Sequence, residues 1–167
     1  MTIEMMRLLA HMAWANQKTI THLRALPDEA LKAYVINSEW TVAEMVHHIV
    51  DSADHYVYRL SGKLVLAQNP DSPIADVNSN SDLVRIAEQA AKVDAALGEC
   101  VHLDETQLEF TNSAGKDVKR WRSTILSQAI HHATEHRAQI AAALEFRNFP
   151  ILDLDELDLW AFEINQG

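Results

Sequence analysis

The chain has 167 residues, 48% of them hydrophobic, a formal net charge of -10 and one cysteine. That length supports one core of ordinary size and not two comfortable domains, so a single domain over residues 1–167 is expected. The acidic balance argues against non-specific nucleic-acid binding and against an anionic membrane surface, both of which need basic residues, and a lone Cys100 excludes an intrachain disulfide.

The N-terminal MTIEMMRLLAH mixes an acid and a base into its apolar pattern, unlike a signal peptide, and no apolar run approaches bilayer length, so a cytoplasmic protein is expected. The first helix is predicted from about Thr2 to Ala25, with Ile3, Met6, Leu9, Ala10, Ala13 and Ile20 at helical spacing and Pro27 after it. The second opens at TVAE, where Thr41 and Glu44 have the form of a capping box, and closes near Gly62. Its stripe is Val42, Met45, Val46, Ile49, Ala53, Tyr56, Val57 and Leu60.

The stretch QNPDSPIADVNSNS is rich in residues that favour local turns and reads as a loop. The third helix follows from Asp82 to about Leu97, capped by Ser81 or Ser79, with Leu83, Ile86, Ala87, Ala90, Val93, Ala96 and Leu97 as its apolar set. LEFTNSAGKDVKRW alternates around a glycine-containing turn and reads as a small hairpin. The fourth helix is predicted from Ser123 or Thr124 to before Pro150, and the acidic tail LDLDELDLWAFEI adds room for one more. Four helices with a small hairpin or irregular insert before the last long one make an all-α four-helix bundle the economical fold. The long second connection permits a crossover.

On the fourth helix Ile125, Ala129, Ala133, Ile140 and Leu144 define the buried stripe. His136 falls inside it, His132 at its margin, and His131 points away. Nine histidines make roughly half an HxxxH pair expected by chance, so the spacing alone is weak. Two imidazoles at a core edge nevertheless need partners, and rings at i, i+4 can converge on one divalent ion. A third ligand must then come from another helix. His48 and His55 both lie on a suitable edge of the second helix, whereas His47 lies on the far side.

These segments resemble the DinB-like family, through MAWANQKTITHLRALPDEAL, TVAEMVHHIVDSADHYVYRLSG, AIHHATEHRAQI and LDLDELDLWAF. The likeness spans most of the chain and is least between about Ala67 and Cys100. Where the family often has glycine before the final Gln-Ile, this chain has Ala138. The resemblance implies an up-down-down-up bundle, often a homodimer. It also implies one divalent metal held by His48, His132 and His136; zinc and nickel lead, and iron is also accepted by imidazole.

Three neutral imidazoles leave a position open for water or substrate. Relatives of this kind include thiol S-transferases and a thiol-dependent isomerase, which implies a low-molecular-weight thiol or a water activated against a small electrophilic substrate. The alternative is a non-catalytic metal-binding or stress-response protein with a structural metal. The family name does not imply DNA binding.

Glu44, Asp51, Asp54 and Glu135 are candidates to orient the histidines, against the plainer reading of solvated acids, and no general base is identifiable. Arg137, near the centre of the fourth helix's stripe, is read as a structural ion pair or dimer contact with a carboxylate. Trp14, Trp40, Trp121 and Trp160 read as core or interface, and Cys100 as an inert buried thiol.

Overall fold

The structure, a computed structural model, describes residues 4–35, 40–66, 74–112 and 114–165. The predicted start at Thr2, the stripe residue Ile3 and part of the loop before the third helix lie outside them. The elements are α1 (Met5–Arg24), α2 (Val42–Ser61), α3 (Asp82–Glu99), β1 (Gln107–Thr111), β2 (Asp117–Trp121), α4 (Arg122–Phe146) and α5 (Leu159–Ile164).

Each long helix starts and stops for a local reason. Thr41 Oγ1 accepts the Glu44 amide at 3.2 Å and the Glu44 carboxylate accepts the Thr41 amide at 2.7 Å, the reciprocal bonds of the predicted capping box. Gly62, at φ 77°, ends α2 in the left-handed conformation that costs glycine least. At α3 the expected cap at Ser81 is not formed, and a carboxylate holds the turn ahead of the helix instead. Ser81 makes no capping bond, and Asp82 Oδ2 accepts the amides of Asn78 and Ser79 at 3.0 and 2.8 Å, because an ionised oxygen serves two donors better than a hydroxyl. The Glu105 carboxylate accepts the Ser123 amide and hydroxyl at 3.0 and 2.6 Å, which caps α4 from across the hairpin. Asn148, at φ 59°, stops α4 before Pro150.

The bundle is up-down-down-up. Met6 lies beside Gly98 while Gln17 donates to the Ala87 carbonyl, so α1 and α3 are antiparallel. Trp40 meets His136 while Tyr56 meets His132, so α2 and α4 are antiparallel. Asn16 meets Arg137 and His22 reaches Pro150, so α1 and α4 run the same way. Neighbours in space are therefore α1 with α3 and α4, and α2 with α3 and α4. The predicted hairpin pairs Gln107–Thr111 with Asp117–Trp121 in antiparallel register, and its Leu108 and Phe110 pack against the core. The tail, including the extra helix, is anchored to α1. His11 Nε2 lies 2.7 Å from the Leu157 carbonyl, and the Trp14 ring packs on Phe162.

The expected stripes of α2, α3 and α4 face the core, with only Tyr56, Ala87 and Ala96 half-buried. That of α1 is rotated from its expected position. Leu9, Met12, Ala15, Asn16, Thr19, Ile20 and Leu23 are buried, while Met6, Ala10 and Ala13 line a groove between α1 and α3. Two polar residues sit in that core because each has a partner. Thr19 donates to the Ala15 carbonyl at 2.8 Å. Asn16 joins Arg137 to Asp94, accepting from the guanidinium at 2.7 Å and donating to the carboxylate at 3.2 Å. Arg137, 3% exposed, thus meets its carboxylate through an amide and not in a direct pair, a correction to the expected ion pair.

Candidate metal centre

The capping box fixes the start of α2 and hence the direction of its faces. His48, Ser52 and Tyr56 then recur at one-turn intervals along the edge that packs on α4. His132 and His136 are one turn apart on the facing edge. These elements bring together the three predicted imidazoles. His48 Nε2 and His136 Nε2 lie 3.1 and 3.2 Å from His132 Nε2, and the three rings offer nitrogens all within 4.8 Å of one another.

His55 shares the α2 edge with His48, but it lies seven residues on, about 10 Å along the axis. It is exposed and near the Asp51 carbonyl. His131 is exposed and His47 stands outside the cluster.

The chemistry of this donor set fits a divalent ion. Gln139 Oε1, an acceptor only, lies 2.7 Å from His136 Nδ1; that nitrogen therefore carries the hydrogen and Nε2 presents a lone pair. His132 Nε2 can donate to one of its two neighbours at most, so the three Nε2 atoms cannot all satisfy one another. A cation among the three satisfies all of them. Nitrogens bound at about 2.0–2.1 Å to a tetrahedral ion stand about 3.3 Å apart, close to the two separations here.

Burial, then the nearby His136, hold His48 below the usual imidazole pKa, with Asp51 opposing. Burial, then His136 and His48, push His132 down to about 4. Both are neutral at pH 7, as ligands must be.

Around the cluster stand residues that the sequence did not single out for the site. Trp40, immediately before the capping box, stacks on His136 with ring centroids 5.5 Å apart and meets His48 edge-on at 4.3 Å. Tyr56 meets His132 edge-on at 5.9 Å; its hydroxyl is bonded to Gln128, and burial raises its pKa so that the phenol stays protonated. Spacing would have pointed to Gln139, three residues after His136, and to Ser52, four after His48. Their neutral side chains carry no chemical flag.

Among the described residues no hydrogen bond joins Glu44, Asp51 or Glu135 to a cluster histidine. Glu44 serves the helix cap, Asp51 lies 3.6 Å from His55, and Glu135 is exposed. Asp54 is not solvated: it is buried and accepts the amides of Val65 and Leu66 at 2.6 and 3.1 Å, holding the chain after α2. Cys100 is buried, which pushes its thiol pKa up. Beside His48 and Trp40 opens a cavity of about 430 Å³, also lined by Glu44, His47, Asp76 and Asn78.

Residues 1–146 match the model of the DinB family. The chain belongs to the DinB family. A crystal structure of a DinB-like protein from Bacillus cereus ATCC 10987 superposes on this DinB-family chain with a TM-score of 0.62, at 20% sequence identity, covering 86% of this chain and 91% of that one. At that identity the likeness speaks for the fold. No curated protein matches the chain. The helical bundle of this family is thus present together with a three-histidine group that could hold a metal ion.

Proposed function

We propose that this DinB-family protein is a divalent-metal-dependent enzyme in which His48, His132 and His136 hold one ion, zinc or nickel before iron, and which directs a thiol or a water at a small electrophilic substrate. The observation that carries the reading is the convergence of three Nε2 atoms at 3.1 and 3.2 Å, with Gln139 setting the tautomer of one ring. Bound by three imidazoles with a position open, such an ion lowers the pKa of a thiol or water toward neutrality.

The chain's own residues supply the rest. Trp40 shields His48 and His136 from water on one flank. The adjoining cavity is of a size to take a small molecule. The protonated Tyr56 phenol, beside His132, can donate to an oxygen of a substrate. Among the described residues no helix is long and apolar enough to cross a membrane; a cytoplasmic location and a single domain over residues 1–167 are part of the proposal. Trp160 and Ile164, 78% and 81% exposed, leave apolar surface for a homodimer.

A catalytic ion is favoured over a purely structural one because His48 and His132 are only half-buried, with His136 behind them at the edge of the apolar core, so one side of the cluster is open to a small molecule. His136→Ala separates the two. The enzyme reading expects about one equivalent of zinc or nickel in the native protein and none in the variant, with the helical circular dichroism retained. Unfolding of the variant would mean a structural metal, and no uptake by the native protein would end both readings.

A further inference from the structure

The Ser52 hydroxyl contacts a cluster histidine, and its geometry is unusual. Its Oγ lies 3.2 Å from His48 Nε2 and 3.4 Å from Nδ1 of the same ring. A ring nitrogen directs its lone pair or its hydrogen outward in the ring plane, and the two directions diverge. An oxygen nearly equidistant from both nitrogens in that plane would collide with the carbon between them. The hydroxyl therefore lies over the ring's edge and is well aligned with neither nitrogen.

Nε2 is also the nitrogen that faces His132 at 3.1 Å, so Oγ lies 3.2 Å from a nitrogen of the candidate ligand set. Trp40 closes the end of the seam nearest the start of α2; Ser52 lies one turn beyond His48 in the other direction, toward Tyr56.

We propose that Ser52 is a ligand-positioning residue, whose O–H donates to the anionic atom, sulfur or oxygen, of the small molecule that completes the site opposite the imidazoles. This deepens the reading given above and rests on it. A hydroxyl is a poor ligand for a borderline ion that prefers nitrogen and sulfur, but a good donor to an anion beside it. Leu, Val or Ala at this seam position would pack as well and leave that anion without a hydrogen bond.

The test compares the Co²⁺-loaded native protein with Ser52→Ala, a substitution that favours the helix. Cobalt affinity is measured first, then the affinities of azide and of 2-mercaptoethanol, with the position of the sulfur-to-cobalt absorption band. The expected result is cobalt affinity within about twofold of native and both anions bound about tenfold more weakly, the size of one hydrogen bond to an anion. The sulfur band should move to longer wavelength.

Unchanged anion affinities overturn the proposal. So does a loss confined to cobalt affinity, which would make Ser52 only a support for the His48 ring. If azide binds and depends on Ser52 while no thiol binds, the positioning role stands and the thiol reading falls. If the cobalt protein takes neither anion, both fall.

Discussion

His136 shows how much one neutral neighbour can decide. An imidazole has two nitrogens and one hydrogen, and the nitrogen that faces a cation must be the bare one. Gln139 settles this by accepting from Nδ1 at 2.7 Å, without adding charge to a cluster that is already crowded. Gln139→Ala should therefore weaken metal affinity by about tenfold while leaving the helical content unchanged, as measured by competition with a chromophoric chelator. Gln139→Glu keeps the acceptor and should restore most of the loss. Spacing offered His132 and His136, which interrupt an otherwise apolar edge, but only the family likeness chose His48 over His55 as their partner. Their helpers stayed hidden, since an amide and a hydroxyl three and four residues from a histidine resemble any solvated helix position. The acids drew attention for their charge, yet two of the four serve backbone amides: Glu44 the cap of α2 and Asp54 the turn after it.

Helix boundaries were the most legible feature at the level of elements, because caps and stops are local chemistry. The capping box at Thr41, the left-handed Gly62 and the hairpin around Gly115 all stand where the residue types place them. Thr41→Ala removes the acceptor for the Glu44 amide and should cost about 1 kcal/mol of stability, read as a lower denaturation midpoint. The same substitution loosens the attachment of Trp40, which precedes the cap, so the stacking on His136 should weaken with it. Two features escaped the local reading because distant residues make them. Glu105 caps α4 from the far side of the hairpin, and Asp82, not a serine, gathers the amides ahead of α3. The stripe of α1 was displaced for a related reason. Apolar spacing alone skips Asn16 and Thr19, which are buried because other atoms satisfy them.

Across the whole molecule, Arg137, Asn16 and Asp94 tie α4, α1 and α3 together inside the core. Burial dominates both charged ends: it pushes Asp94 up to about 6 and Arg137 down to about 10, while their mutual attraction opposes each shift. The folded pKa of Asp94 lies above its ordinary 3.8, so the folded state holds this proton more tightly than the unfolded chain. Its contribution to stability is complete below pH 3.8 and is lost as pH rises through about 6. Asp94→Asn should remove that component, so the stability difference between native and variant should change across this window and level off above it, by urea titration at each pH. The order of helices in space was legible only through family likeness, because periodicity gives faces and not partners. That order has a kinetic meaning. The two helices that carry the imidazoles touch each other, yet His48 and His132 are 84 positions apart, with all of α3 and the hairpin between them. Closing so long a loop is slow and entropically costly, and no short fragment contains all three rings. Capture of an ion by all three imidazoles therefore reports a finished bundle and cannot template its early steps.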